Sequence, residues 1–339
     1  MKLLTYKQNN EPRVGIFYNN LIFDIRNCAK YLKMETPSFI EQIINEWEHW
    51  LGELNIIYDE IKNGKLTAEI QREHIEVLAP LPRPNSFRDA YAFRQHVATA
   101  RRNRGAEMIP EFDQFPVFYF TNHNAVFGEG EIIVEEDHLQ KLDFELEAAI
   151  IIGKRGKNIS SKYADSFIAG YTIMNDLSAR KLQMEEMKLN LGPAKGKDFA
   201  TVIGPYLVTV DELEKNKIET PSGNKFDLKM TAKHNGKLIS EGNLKDMNWT
   251  FAEIIERASY GVELYPGDVI GSGTVGTGCY LELNGTRALK AKEKGEEFSP
   301  TWLKEGDTIE LEIDGLGILK NKIIKAKNSH SILEKKKNF

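Results

Sequence analysis

The sequence has few cysteines, little excess charge and no long apolar segment. Cys28 and Cys279 are too few among 339 residues for a disulfide framework, and their spacing fits no zinc motif. The formal net charge of −5 argues against nucleic acid or an anionic membrane as partner, because both select basic surfaces. No run approaches the roughly 18 apolar residues of a membrane span, and the N-terminus lacks the apolar region of a signal peptide. We expect a cytoplasmic protein.

Nucleotide-binding signatures are absent as well. No G-x-G-x-x-G opens a helix after a strand, and no G-x-x-x-x-G-K-[ST] occurs. The hydrophobic content of 41% and the charged content of 28% are ordinary for a globular protein. At about 150 residues per domain, the length is compatible with one large domain and one small domain.

Three prolines mark a domain boundary near residue 80. Pro80, Pro82 and Pro84 lie in LAPLPRPNS and disfavour both a helix and a central strand. We expect a small N-terminal α/β domain at residues 1–80, a catalytic domain at 81–326 and a basic C-terminal tail at 327–339.

The local patterns predict short strands with inserted helices. Strands are expected at 3–5, 14–17, 21–23, 142–152 and 206–210, with hairpin turns at Asn235-Gly236 and Asp314-Gly315. Helices are expected at 38–61, 86–104, 161–169 and 177–189, and after a capping box of Thr250 and Glu253. This order favours an α+β fold with mainly antiparallel or mixed sheets over a doubly wound parallel sheet.

The segment LDFELEAAIIIGK carries three carboxylates next to an apolar run. On a strand, Asp143, Glu145 and Glu147 share one face, and the strand continues into a stretch that is apolar on both faces. Carboxylates near a core need a cation, and oxygen donors select Mg²⁺, Mn²⁺ or Ca²⁺. The alternative is a half-solvated strand with a polar outer face.

Asp176, in GYTIMNDLSARKLQ, is a further ligand candidate. Asp is also a favoured N-cap, so a purely structural role is the alternative. If a helix starts near residue 177, Arg180 and Gln183 align with Asp176 on one face. The three side chains could then bind a metal and a carboxylate substrate together.

Asp89 and His96 lie in SFRDAYAFRQHVATARRNRG. Seven residues apart on one predicted helix, they would share a face about 10 Å apart along the axis. His96 is either a general base or a structural histidine. Arg102 and Arg104 fit a carboxylate clamp or a solvated face better than a nucleic-acid patch, given the acidic composition.

Two further segments carry weaker signals. Lys197, in LGPAKGKDFAT, is either a solubilising loop residue or a stabiliser of a developing oxyanion. Glu282 follows the glycine-studded stretch SGTVGTG and could orient a histidine, or could pair with a surface lysine.

Taken together, residues 78 to 326 resemble the fumarylacetoacetate hydrolase superfamily. DFELEAAIIIGK resembles its E-x-E metal strand, and GYTIMNDLSARKLQ resembles its N-D-x-S-A-R-x-x-Q signature. KGKDFAT, SGTVGTG and GDTIELEIDGLGILKN also match in the expected order. The resemblance implies a β-roll of mixed sheets and a homodimer.

The resemblance also implies roles for individual residues. It makes His96 the general base, Glu282 its orienting carboxylate, and Lys197 the stabiliser of the leaving carbanion. The implied metal ligands are Asp89, Glu145, Glu147 and Asp176. The implied substrate contacts are Tyr91, Tyr119, Arg180, Gln183 and Thr274, with Arg102 or Arg104 in place of a family arginine that is Gly105 here. Met187 stands where the family has a tyrosine.

We therefore expect a divalent-metal-dependent hydrolase that cleaves a carbon–carbon bond in a β-diketo acid, such as fumarylacetoacetate or an acylpyruvate. Mg²⁺ is the expected metal, with Mn²⁺ or Ca²⁺ as alternatives. The second hypothesis has the same metal and a small 2-oxo acid substrate. In it, the enzyme is a decarboxylase, isomerase or dehydratase that works through a metal-bound enolate. The third hypothesis is a binding protein without catalytic activity.

Overall fold

The computed structural model describes residues 1–67, 70–72 and 75–335. The last residues of the predicted basic tail, 336–339, lie outside the described residues. Among the described residues, no helix combines the length and the apolar character needed to cross a membrane.

Strands make up most of the framework. In chain order they are β1 (Lys2–Gln8), β2 (Glu11–Tyr18), β3 (Leu21–Asp24), β4 (Ile70–Gln71), β5 (Glu76–Val77), β6 (Ser86–Ala90), β7 (Phe118–Phe120), β8 (Val126–Phe127), β9 (Gly130–Val134), β10 (Leu142–Asp143), β11 (Leu146–Ile152), β12 (Gly156–Lys157), β13 (Ile168–Asp176), β14 (Ser178–Ala179), β15 (Thr201–Thr209), β16 (Lys217–Thr220), β17 (Gly223–Phe226), β18 (Lys229–His234), β19 (Lys237–Asn243), β20 (Glu263–Leu264), β21 (Asp268–Gly271), β22 (Thr308–Ile313) and β23 (Gly317–Lys325).

Helices are inserted between these strands. They are α1 (Ile25–Leu32), α2 (Ile40–Asn45), α3 (Trp47–Lys62), α4 (Arg94–Arg102), α5 (Glu136–Leu139), α6 (Ser161–Ala164), α7 (Arg180–Glu186), α8 (Phe251–Ser259) and α9 (Tyr280–Lys294).

Two mixed sheets organise the chain. The larger follows the order β4-β3-β2-β1-β15-β13-β11-β21-β6-β7, and the second follows β19-β18-β22-β23-β9. Most neighbours are antiparallel, whereas β6 runs parallel to β21 and β9 parallel to β23. The N-terminal strand β1 joins the larger sheet because Leu3 pairs with Leu207 of β15. This architecture confirms the α+β expectation.

Strand β11 is buried on both faces. Ala148, Ile150 and Ile152 lie in one apolar cluster, while Ala149 and Ile151 lie in the other. The second cluster includes residues of α2 and α3, so the N-terminal helices cover one face of the larger sheet. A continuous apolar run suits a strand in this position because alternate side chains all meet a core. The sheet therefore holds β11 rigidly up to its polar end.

Several local expectations are confirmed. Asn235 and Gly236 turn between β18 and β19 with φ of 49° and 77°, the backbone that a tight hairpin needs. Thr250 and Glu253 form the predicted capping box at the start of α8.

Other local expectations were wrong. The predicted helix at 38–61 is two helices that meet at Glu46, and the side chain of Gln42 rather than Glu41 caps the first. The predicted helix at 86–104 begins as strand β6, since its first residues pair in parallel with β21. The predicted helix at 177–189 begins only at Arg180, and Asp176 ends strand β13. The tertiary ladder overrides the local helical pattern at each of these strand segments.

Candidate active site

Four carboxylates meet at the polar ends of the central strands. Each of these residues places one carboxylate oxygen within 4.8 Å of those of the other three, and all four are buried: Asp89, Glu145, Glu147 and Asp176. Neighbouring strands β13, β11, β21 and β6 bring them together. These are the four residues that the resemblance implies as metal ligands.

An interruption between β10 and β11 separates the three carboxylates of LDFELEAAIIIGK. The side-chain oxygen of Asn175 accepts a hydrogen bond from the backbone N–H of Glu145 at 3.0 Å. Asp143 does not join the metal-ligand cluster, because it accepts hydrogen bonds from the backbone N–H groups of Tyr280 and Leu281, at 2.7 and 2.9 Å, at the start of α9. The expectation that all three share one uninterrupted strand face was therefore wrong.

Two buried cations contact these carboxylates. Lys197 donates to Glu145 and, at 2.5 Å, to Asp176, so it is not the solvated loop residue of the alternative interpretation. Arg180 donates to Asp143 at 2.8 Å and to Glu145 at 2.6 Å. Burial disfavours the ionised form of Glu145, but Lys197 and Arg180 outweigh it, and the pKa of Glu145 is lowered.

At Asp89 and Glu147, by contrast, the nearby cations do not outweigh burial. Burial, reinforced by the negative charge of Asp176, raises the pKa of Asp89 to about 8. Burial and the nearby Asp89 raise the pKa of Glu147 well above its usual range. Oδ1 of Asp176 is buried and has no hydrogen-bond partner among the described residues. A cluster of hard oxygen donors with excess negative charge fits a divalent cation such as Mg²⁺, Mn²⁺ or Ca²⁺.

A glycine-rich turn fixes two of the carboxylates. The backbone N–H of Gly273 donates to Asp89 and to Glu147, each at 3.1 Å, and the hydroxyl of Thr274 donates to Glu147 at 3.2 Å. Gly273 has a φ of +79°, and a Cβ there would lie 2.6 Å from the carbonyl oxygen of Ala90. A side chain is therefore excluded at this position.

His96 and Glu282 form a second buried polar pair beside the carboxylates. Nδ1 of His96 lies 2.8 Å from Oε2 of Glu282, whose other oxygen accepts from the backbone N–H of Thr277 at 2.9 Å. Because the carboxylate accepts the Nδ1 proton, Nε2 is the basic atom of the ring. Thr277 has a φ of +70°, unusual for a β-branched residue, and this backbone directs its N–H toward Glu282.

The expected helix carrying both Asp89 and His96 is absent. Asp89 lies in β6, and His96 lies in α4. Both nevertheless reach the same cavity.

The cavity has a volume of about 450 Å³ and combines polar and apolar walls. Of the expected substrate contacts, the following line it: Tyr91, Tyr119, Arg180, Gln183, Thr274 and Arg104. Arg102 instead donates to the hydroxyl of Thr286 at 3.1 Å, on an exposed part of the surface. Met187, which stands in place of the family tyrosine, contributes to the apolar wall together with Met184 and Val117.

Sequence reasoning missed the residues that orient the site. Asn175 stands next to Asp176 in the signature, and its role depends on a contact with Glu145 thirty residues away. Thr277 gave no local signal, because its importance lies in a backbone conformation. Gly273 is one of four glycines in residues 271–278, and no local pattern distinguishes it from the others.

Comparison with known proteins places the chain in a family. The profile described as fumarylacetoacetate (FAA) hydrolase C-terminal matches residues 85–324. Oxaloacetate tautomerase YisK of Bacillus subtilis (strain 168) is 30% identical over 334 residues, which cover 95% of this chain and 100% of that protein. The chain belongs to the fumarylacetoacetate hydrolase family.

Solved structures of similar proteins share the fold. Fumarylacetoacetate hydrolase from Exiguobacterium antarcticum is similar with a TM-score of 0.66 at 23% identity, covering 96% of this chain and 100% of that chain. Maleylpyruvate hydrolase from Sphingobium sp. SYK-6, in complex with manganese (II) ion and pyruvate, has a TM-score of 0.66 at 20% identity, with coverage of 96% and 100%. The family is one of enzymes, which agrees with the expected enzymatic character.

Replacing Gly273 with alanine tests the glycine-rich turn. We expect Gly273→Ala to lower the free energy of unfolding by about 1–3 kcal/mol, because the backbone is strained for any other residue. The control is Gly52→Ala in α3, where a Cβ meets nothing within 4 Å. It should instead stabilise by about 0.5–1 kcal/mol. Urea denaturation of both variants measures the difference, and equal effects would contradict this role of Gly273.

The excess negative charge predicts a pH dependence of the metal-free protein. Because the pKa of Asp89 is raised to about 8, the folded state keeps a proton that the unfolded chain loses above about pH 4. The free energy of unfolding should therefore fall as the pH rises from about 5 to about 8. Excess Mg²⁺ should remove this fall, since a cation replaces the proton.

Thermal denaturation of metal-free protein across this pH range measures the effect. Asp89→Asn should make the fall smaller, with Glu147 supplying the remainder, whereas Glu297→Gln at the exposed surface should leave the profile unchanged. A profile of Asp89→Asn identical to that of the wild type would contradict the assignment.

Proposed function

We propose that the protein is a divalent-metal-dependent enzyme that interconverts the keto and enol forms of a small 2-oxo dicarboxylic acid, with oxaloacetate as the substrate. The observation that carries the proposal is that one cavity is lined by Asp89 and Glu145 of the buried carboxylate cluster and by His96, which is hydrogen-bonded to Glu282. It is supported by YisK, a relative aligned over its whole length, whose name is oxaloacetate tautomerase.

The donor set defines what a metal would contribute. A divalent cation held by Asp89, Glu145, Glu147 and Asp176 would act as a Lewis acid that polarises a carbonyl oxygen. Mg²⁺ is our first choice, with Mn²⁺ and Ca²⁺ as alternatives, because all the donors are carboxylate oxygens. The solved maleylpyruvate hydrolase contains manganese, which supports a divalent ion here.

His96 carries the proton transfer. Glu282 accepts the hydrogen on Nδ1, so Nε2 is available to remove a proton from the carbon next to the substrate carbonyl. The same nitrogen returns a proton to that carbon in the reverse direction. Glu282 also stabilises the positive charge that His96 acquires between the two steps.

Lys197 lies where negative charge develops. Its ammonium group is buried at the cavity wall, and the ion pairs with Glu145 and Asp176 raise its pKa against the opposing effect of burial. Lys197 therefore stays charged, and it stabilises an enolate oxygen formed in the cavity. Arg180 bonds Asp143, Glu145 and Gln183, so it positions carboxylates in addition to lining the cavity.

Among the described residues that line the cavity, Arg104 is a cation suited to a second carboxylate. It lines the wall next to Ala100, whose carbonyl oxygen accepts its Nε–H at 3.1 Å. The two terminal guanidinium nitrogens are suited to a carboxylate, because the planar group presents paired donors. A dicarboxylic 2-oxo acid would place one carboxylate there and its 2-oxo group at the metal cluster.

Carbon–carbon bond hydrolysis of a β-diketo acid is the second candidate. The specific observation that favours it is the carboxylate-oriented His96, which can equally remove a proton from water. The apolar wall formed by Met184, Met187 and Val117 would accommodate an acyl group larger than oxaloacetate provides. The expected homodimer and the expected cytoplasmic location stay predictions.

An absorbance assay separates the two reactions. Metal-free protein is mixed with the enol of oxaloacetate, and separately with acetylpyruvate or fumarylacetoacetate, with and without Mg²⁺. We expect Mg²⁺-dependent acceleration of ketonisation above the uncatalysed rate, with no new carboxylic acid formed. The opposite result is loss of the β-diketone absorbance with formation of two acids, and no effect on oxaloacetate. It would contradict the tautomerase proposal and support the hydrolase.

Replacing the base tests the proton-transfer role. His96→Ala should lower kcat by about 10²–10⁴-fold, because it removes a positioned general base. Binding of Mn²⁺, measured by calorimetry, should be unchanged, since His96 is outside the carboxylate cluster. His123→Ala, at an exposed histidine, is the matched control and should retain full activity. Loss of both turnover and Mn²⁺ binding in His96→Ala would mean that His96 has a structural role.

A further inference from the structure

A second group of potential ligands lies beside the carboxylate cluster. His96, Cys279 and Glu282 are all buried, and each offers one ligand atom within 4.8 Å of those of the other two. Cys279 is the residue immediately before α9, and Glu282 lies in the first turn of that helix. The helix and its packing against α4 therefore hold nitrogen, sulfur and oxygen donors in one small volume.

The donor chemistry of this group differs from that of the carboxylates. The first cluster contains only hard oxygen donors, whereas this group combines an imidazole, a thiol and a single carboxylate. Nitrogen and sulfur ligands favour zinc and other soft divalent ions over Mg²⁺ and Ca²⁺. Two sites of opposite metal preference would thus lie beside one cavity, which His96 lines together with Asp89 and Glu145.

The geometry points to a second metal site, in which His96, Cys279 and Glu282 bind Zn²⁺ or a similarly soft divalent ion and thereby inhibit the enzyme. Donor atoms around a tetrahedral zinc lie roughly 3.3–3.7 Å apart, given bond lengths of about 2.0–2.3 Å. Side-chain shifts of about 1 Å would close the present group around an ion. A water from the cavity would complete the coordination.

Charge and access are compatible with such a site. A thiolate and a carboxylate neutralise the two positive charges of the ion, and His96 binds as a neutral imidazole. Burial raises the pKa of Cys279, so the thiol is protonated in the metal-free protein, and the ion must displace this proton to solvent when it binds. The backbone N–H of Glu282 faces the sulfur and supports the thiolate once it forms. His96 lines the cavity, which provides the path of entry.

Inhibition follows from the identity of the ligands. A soft ion on His96 and Glu282 replaces the hydrogen bond that orients the base, and it occupies nitrogen or oxygen atoms needed for proton transfer. The activating metal at the carboxylates would remain bound. This consequence rests on the proposed function, whereas the existence of the site does not.

Cadmium binding tests the site independently of activity. Wild-type protein in saturating Mg²⁺ is titrated with Cd²⁺, and the ultraviolet thiolate-to-cadmium charge-transfer band is recorded. We expect one equivalent of Cd²⁺ per chain to produce the band, because the carboxylate cluster has no sulfur and gives no such signal. A wild-type protein that shows no band would overturn the proposal.

The two cysteines of the sequence supply a matched pair of variants. Cys279→Ser should lose the band, and Cys28→Ser, at a buried cysteine in α1, should keep it. His96→Gln should weaken Cd²⁺ binding more than about tenfold, since even outer partners of a metal contribute about 10–100-fold to affinity. Circular dichroism checks that each variant folds. If Cys279→Ser does not fold, the Cd²⁺ affinity of His96→Gln still tests the site. The opposite cysteine pattern, or unchanged affinity in His96→Gln, would overturn the proposal.

Enzyme assays then test whether metal binding at this site inhibits the reaction. In excess Mg²⁺, Zn²⁺ should inhibit the wild type and Cys28→Ser, and a zinc-selective chelator should restore the rate. Cys279→Ser should need more than about tenfold higher Zn²⁺ for the same inhibition. A cadmium band with no inhibition in any protein would overturn the inhibitory effect while leaving the site in place. A protein without turnover but with the band would instead mean that the proposed function is wrong.

Discussion

An excess of buried carboxyl groups over buried cations is the constraint on which the rest of the structure depends. Five buried carboxylates, those of Asp143 and the four-residue cluster, share two buried cations. Arg180 contacts Asp143 and Glu145, and Lys197 contacts Glu145 and Asp176. Ion pairing explains why Glu145 is ionised, whereas Asp89 and Glu147 have raised pKa values because burial is not offset. Such an arrangement is unfavourable in a metal-free protein and becomes favourable when a divalent cation neutralises it.

The fold makes this arrangement tolerable by fixing each carboxylate from a different direction. Strand β11 is held between two apolar clusters, so Glu147 projects from a rigid element. Gly273 brings one backbone N–H to both Asp89 and Glu147, which only a residue without a side chain can do at that distance. His96 is oriented in the same way, through Glu282 and the N–H of Thr277. The preorganisation of the site thus depends on backbone groups as much as on the reacting side chains.

Much of the fold and of the site could be predicted from the sequence. The features that could not be predicted depend on long-range contacts. The E-x-E strand, the signature around Asp176 and the alternation in the hairpins are local patterns, and they led to the cluster and the mixed sheets. The helix assigned to Asp89 was wrong because pairing with β21 is a long-range contact. The break between β10 and β11, which contains Glu145, and the left-handed backbone of Thr277 likewise depend on partners far along the chain. Local periodicity carries no information about either.

The central claim is that Asp89, Glu145, Glu147 and Asp176 together bind one divalent cation. Anomalous diffraction from crystals soaked in Mn²⁺ tests it most directly. The account predicts a single strong peak enclosed by these four carboxylates, which disappears in Glu147→Gln and persists in His96→Ala. A peak elsewhere, or none at all in crystals of the wild-type protein, would contradict it.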